Sequence, residues 1–230
     1  MTTLESMRVV ARHFNGLECP YAFLGACVLP LLLDNPDLFE IRPTKDVDLT
    51  IEILTLNEFY DIEMRLRSLG FHNDTREGAP ICRWIIETVT VDIMPCESAV
   101  LGMASAWFAE AIGHAIPKDF GQGISAPVIS SVYFLATKLT AFRDRGMKDM
   151  IMSKDLEDIL TLVEGRAELP GETAAASPAV RNFIASEIST HLGNPDFLEL
   201  LPAFYRSDAV SQQRLRNVQS QLHRLTQLEG

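Results

Sequence analysis

Arg42-Pro43-Thr44-Lys45-Asp46-Val47-Asp48-Leu49-Thr50-Ile51-Glu52-Ile53 is the stretch on which the fold turns. From Asp46 onward, polar and apolar residues alternate: Asp46, Asp48, Thr50 and Glu52 against Val47, Leu49, Ile51 and Ile53. A period of two marks a half-buried strand. Side chains two apart on a strand share a face, so Asp46 and Asp48 project the same way. Two carboxylates that close repel each other unless a cation lies between them. A divalent ion with oxygen ligands meets that need, and Mg²⁺ suits a site shared between carboxylates and phosphates. The plainer alternative is a polar strand face wetted by solvent.

Upstream, Leu4, Met7, Val10, Ala11 and Phe14 share one face of a helix over 4–15, and Tyr21-Ala22-Phe23-Leu24 leads to Gly25. A compact helix is expected over 26–33, closed by the turn residues Asp34-Asn35-Pro36-Asp37. Downstream, helical spacing covers 55–69, and two strand-like runs follow at 81–87 and 88–94 with no strong turn signal between them. The second run alternates through Thr88, Thr90 and Asp92 before Pro95, so Asp92 is a third candidate carboxylate. A helix over 104–113, a loop at Gly121 and Gly123 and a strand over 124–129 come next. Helices are then expected over 131–145, 153–164 and 176–192 and on to about 226, with a junction near 168–177 around Pro170, Gly171 and Pro178. The order predicts an α+β fold, a mixed sheet flanked by helices over 1–129 and a helical C-terminal half over 130–230.

The chain has 230 residues, with 20 Lys and Arg against 31 Asp and Glu, a formal net charge of −11. Such a chain is no general nucleic-acid binder, because phosphate affinity rests on clustered Lys and Arg. A local excess exists all the same: five basic residues (Lys138, Arg143, Arg145, Lys148, Lys154) stand against Asp144 and Asp149. Met1 to Ser6 lack a basic stretch followed by an apolar run, and the apolar stretches are too short for a bilayer. Cys19, Cys27, Cys82 and Cys96 lack C-x-x-C spacing and are expected as free thiols in a reducing cytoplasm. The scattered His residues make no i, i+4 pair, so a His-based metal site is not expected.

Three separated elements, Gly25-Ala26, RPTKDVDL (42–49) and VDIMP (91–95), occur in order, followed by TKLTAFRDRGMKDMIMSKDLEDI (137–159). Together they resemble the DNA polymerase β-type nucleotidyltransferase superfamily, and more narrowly the AbiEii-type toxins of type IV toxin–antitoxin systems. The resemblance spans about 21–165. It implies that Asp46, Asp48 and Asp92 bind metal, with two Mg²⁺ ions. One would activate the attacking hydroxyl and the other would neutralise the triphosphate and leaving pyrophosphate. Asp92 would serve as general base or as a metal ligand. Gly25, Ala26, Arg42 and Thr44 would meet the nucleotide, and Lys138 would neutralise its triphosphate. Arg143, Lys154, Asp155 and Asp158 match the last motif. Asp155 and Asp158, three apart on one helical face, are expected chiefly to hold Lys138 or Arg143 by ion pairs. One departure is Ala26, where the family has Gly or Ser: no hydroxyl is offered to the γ-phosphate, and backbone N–H groups remain.

The activity implied is transfer of a nucleoside monophosphate from an NTP to an acceptor, the 3′ end of a tRNA, by a toxin with a separate antitoxin. A small-molecule or protein hydroxyl is the alternative acceptor, mildly favoured by the net charge. A catalytically degenerate nucleotide-binding module is the third possibility, supported by Ala26.

Overall fold

In the computed structural model, which describes residues 1–97, 100, 102 and 105–228, the chain divides into two compact units. One comprises Met1–Leu31 with Arg42–Ser130, the other Leu32–Ile41 with Ser131–Gly230.

The sheet unit begins with α1 (Thr3–Phe14). The Thr2 hydroxyl accepts from the Glu5 N–H and the Glu5 carboxylate accepts from the Thr2 N–H. This reciprocal cap satisfies donors that a helix start leaves open. The buried face is Met7, Val10, Ala11 and Phe14, as the spacing requires. Strand β1 (Tyr21–Leu24) runs to Gly25, where a 3-10 turn (Ala26–Val28) passes into α2 (Leu29–Leu32). The helix expected over 26–33 is therefore split. Pro30 has no N–H to return to Ala26, so the first turn tightens. Strand β2 (Asp46–Ile51) precedes α3 (Leu56–Ser68), capped by Thr55 and Glu58 in the same reciprocal way. Next come β3 (His72–Asn73), β4 (Arg83–Ile86), β5 (Val89–Pro95), α4 (Phe108–Gly113), β6 (Ile116–Asp119) and β7 (Ser125–Val128).

The seven strands lie in the order β3-β4-β5-β2-β1-β7-β6. The β2–β5 and β1–β7 pairs are parallel and the rest antiparallel, so the sheet is mixed. The expected α+β class, a mixed sheet with flanking helices followed by helical chain, is the observed one. Differences are local. β6 escapes the pattern because it is an edge strand with three of its four residues exposed, so burial imposes no alternation on it. Of the helix expected over 104–113, residue 104 lies outside the described residues, and α4 starts at Phe108. Thr50, placed by alternation on the polar face, is fully buried with its hydroxyl unbonded.

The helical unit carries α5 (Ser131–Ala141), α6 (Lys154–Gly165), α7 (Leu169–Ala174), α8 (Pro178–Leu192), α9 (Pro195–Leu200) and α10 (Ala209–Thr226). The helix expected to reach 145 stays α-helical only to Ala141 and then widens into a π turn, Phe142–Gly146. Gly146 ends it where a methyl group would overlap the Phe142 ring and the Ser153 hydroxyl. The junction expected over 168–177 holds α7, whose Pro170 sits in the first turn, where a missing N–H costs nothing. No helix among the described residues is long and apolar enough to cross a membrane.

Candidate functional site

Strand register places the carboxylates. On adjacent parallel strands Asp48 is the Cα partner of Asp92, and Asp46 is the partner of Thr90. The Val, Leu and Ile residues alternating with them are buried, while Asp46, Asp48, Thr90 and Asp92 are half-buried. The core therefore pins the opposite face of both strands and leaves the carboxylate face partly open to solvent.

A cation already sits on that face. Arg83, the cross-strand partner of Asp92 on β4, donates from Nε to Asp92 Oδ1 at 2.7 Å and from Nη2 to Asp92 Oδ2 at 2.7 Å. The same Nη2 donates to Asp46 Oδ2 at 2.9 Å. A planar fork on a carboxylate is the strongest geometry such a pair adopts. The bonds to Asp92, followed by the charges of Asp92 and Asp46, push the Arg83 guanidinium still higher than usual, against the effect of burial. The Cys82 thiol next to it is pushed up to about 11, first by burial and then by the Asp92 charge, with Asp48 adding to it.

Asp48 is turned toward Gly25. That residue has φ 74°, in the left-handed region, and a methyl group on it would overlap the Asp48 carboxylate. Glycine is needed there both for the backbone conformation and for the space. Arg42 and Thr44 lie in the loop before β2, both half-buried, and the Thr44 hydroxyl is 3.5 Å from that of Thr3. Ala26 is buried at the start of the 3-10 turn.

The donor chemistry of Asp46 and Asp48, two oxygen ligands on one strand face beside a glycine that leaves room for the second, fits Mg²⁺. Both oxygens of Asp92 are engaged by Arg83. Among the described residues, no group of three or more His, Cys, Asp or Glu side chains is arranged around a single ion position.

In the helical unit, Lys138 Nζ lies 3.0 Å from Asp155 Oδ1 and 2.6 Å from Asp158 Oδ2. Arg145 completes the group, donating from Nε and Nη2 to the two Asp155 oxygens at 2.8 and 3.0 Å. Burial alone would lower the Lys138 ammonium, but Asp158 and Asp155 reverse this and raise it. Burial alone would raise the Asp155 carboxyl, and the bonds from Arg145 and Lys138 hold it below its ordinary value instead. Arg143 is not part of this group; it donates to Glu187 at 2.9 Å and to Asp144. Lys154 is exposed at the first position of α6.

Arg83 is the residue that sequence inspection misses. A two-residue loop, Glu87-Thr88, joins β4 to β5, with Ile86 paired to Val89. That register alone would set Arg83 opposite Asp92. The loop lacks the Asn-Gly or Asp-Gly signal of a tight hairpin, and Glu87 adopts φ 53° without it.

No protein-family model matches the chain, and no curated protein is similar to it in sequence. Solved structures do share its fold. An antigenic nucleotidyltransferase-like protein from Paracoccidioides brasiliensis superposes with a TM-score of 0.51 at 19% identity, over 86% of this chain and 92% of that one. The antibiotic-resistance factor ANT(2'')-Ia superposes with a TM-score of 0.50 at 16% identity, over 84% of this chain and 96% of that one. At these identities the likeness establishes a nucleotidyltransferase-type fold.

Proposed function

We propose that the chain is an Mg²⁺-dependent nucleotidyltransferase that moves a nucleoside monophosphate from an NTP to an acceptor hydroxyl. One observation carries this: Asp46, Asp48 and Asp92 are brought to one open face by the β2–β5 register, on a sheet of nucleotidyltransferase type. Asp46 and Asp48 hold the divalent ion, which when bound neutralises phosphate oxygens and eases the loss of pyrophosphate. Gly25 keeps the space into which the Asp48 carboxylate turns. Asp92, oriented by Arg83, takes the proton of the acceptor hydroxyl as the new bond to the α-phosphorus forms and the bond to pyrophosphate breaks. Arg42 and Thr44 approach the nucleotide from the loop before β2. Lys138, buried between Asp155 and Asp158, supports the fold of the helical unit.

The acceptor implied by the resemblance to AbiEii-type toxins is the 3′ end of a tRNA, with a separate antitoxin to silence the chain. A second acceptor class, a cationic hydroxylated small molecule, is favoured by the net charge of −11 and by the likeness to the antibiotic-resistance factor. Incubation with each labelled NTP, Mg²⁺ and total tRNA, beside an Asp46→Ala, Asp48→Ala double variant, tests the first. Labelling should fall by roughly 10²–10³-fold in the variant, the effect of several kcal/mol of lost transition-state stabilisation. Wild-type labelling no higher than the variant's across all four NTPs rejects tRNA. A panel of cationic small molecules with free hydroxyls then tests the second, and binding that weakens steeply with salt returns the balance to RNA.

A further inference from the structure

Helix α3 buries one side, and its other side is apolar too. Ile62 and Leu66 are buried. Leu56, Tyr60 and Met64, spaced by four and turned away from them, are 52%, 58% and 63% exposed. Leu54, just before the helix, is exposed as well, and the Tyr60 ring stands edge-on to that of Phe59. The outward side of such a helix ordinarily carries polar residues, so a stripe of large apolar side chains there marks an interaction surface. We infer that a second copy of the chain docks on this stripe, with α3 antiparallel to its counterpart across a two-fold axis. Charge selects that occupant. Asp61 and Arg65 each follow a stripe residue, so they lie along the same side of it, the acid toward the helix start and the base toward its end. Both are exposed and, among the described residues, neither is in an ion pair, whereas Glu63 and Arg67 pair with each other at 3.5 Å. A two-fold axis across the helix reverses its direction and keeps that side facing itself. Asp61 of each copy then meets Arg65 of the other, and Tyr60 meets Met64. A lipid surface would call for a rim rich in Lys and Arg. Instead α3 carries Glu58, Asp61 and Glu63 against Arg65 and Arg67. The contact is independent of the nucleotidyl transfer proposed above.

Sedimentation velocity on the full chain tests this, over about 1 to 300 μM, because one helix face is a small interface and association should be reversible. The wild type should pass from monomer toward dimer as its concentration rises. Tyr60→Ser, at an exposed position, should raise the dissociation constant about tenfold or more. Asp61→Arg and Arg65→Asp, each alone, set like charges opposite one another and should weaken self-association about fivefold or more. Mixed together, the two charge variants should form a heterodimer at least as tight as the wild type, because every facing pair is then opposite in charge. Melting curves show which variants are folded. A wild type that stays monomeric over the whole range overturns the inference. So does a dimer that Tyr60→Ser leaves intact, since the contact then lies elsewhere, and this comparison stands even if a charge variant does not fold. Charge variants that self-associate like the wild type, or that fail to pair when mixed, overturn the antiparallel docking.

Discussion

Each unit of the chain gathers acids around a base, and the two gatherings differ in how far they open to solvent. In the helical unit, Lys138 meets Asp155 and Asp158, and Arg145, itself 71% exposed, joins Asp155. The Lys138, Asp155 and Asp158 side chains are 11%, 6% and 2% exposed. In the sheet unit, Arg83 bridges Asp92 and Asp46, and the side chains of Arg83 and Asp46 are 24% and 36% exposed. A buried lysine that already bridges two carboxylates is closed to a ligand. An open group keeps its carboxylates within reach of a ligand from solvent. Paired acids and bases at regular spacing are thus not enough to mark a site; access to solvent separates architecture from chemistry.

The largest effect should come from breaking the buried group. Lys138→Met leaves Asp155 and Asp158 buried without their central cation, and should cost about 3–5 kcal/mol of unfolding free energy in urea denaturation at neutral pH. A cost below about 1 kcal/mol would mean that the two carboxylates do not depend on Lys138, and the contrast between the units would fail.

Gly25→Ala should act on the open group instead. The added methyl displaces the Asp48 carboxylate and strains a backbone at φ 74°. Displacement of a reacting-centre ligand by about an ångström costs roughly 10²-fold in rate, so single-turnover transfer should fall by that order while the chain still folds. An unchanged rate would show that the position of Asp48 against Gly25 does not matter to the chemistry.

The smallest effect concerns acid stability, and it should appear only in the helical unit. His191 of α8 is buried between the Phe142 and Phe197 rings, with neither ring nitrogen hydrogen-bonded, beside a small apolar cavity lined by Leu139, Leu156, Ile188 and Leu222. Burial pushes its pKa below the ordinary value, with the Glu187 charge acting weakly the other way. The unfolded chain therefore binds the proton more readily than the folded one. The stability that neutral His191 contributes is complete above about pH 6.5 and is lost as pH falls toward the lowered folded value. Melting curves between about pH 7.5 and 5 should show this loss, and His191→Leu should remove that part of it. The same change should stabilise the chain by about 1 kcal/mol at neutral pH, because an unbonded buried polar group disappears. Identical pH profiles for variant and wild type would show that the acid response arises elsewhere.

The carboxylates were legible because strand alternation is local: Val47, Leu49, Val91 and Ile93 declare one face, and Asp46, Asp48 and Asp92 must occupy the other. The pairing of Asp155 and Asp158 with Lys138 was legible for a similar reason, since residues three apart share a helical face. The end of the α-helix at Ala141 was not, because the π turn depends on Gly146 packing against Phe142 and Ser153. Arg83 was hidden by a hairpin whose loop, Glu87-Thr88, carries no turn signal.

By itself the sequence determined the faces of most elements: which residues alternate and which recur every three or four. These depend on contacts a few residues apart, whose geometry backbone sterics and hydrogen bonding settle. Only the tertiary structure decided that β2 lies beside β5, that Thr50 is buried although it falls on the polar face of its strand, and that Arg83 is the cation between Asp46 and Asp92. Each of these depends on strands far apart in the chain becoming neighbours, and a local pattern carries no information about which strand will stand next to it.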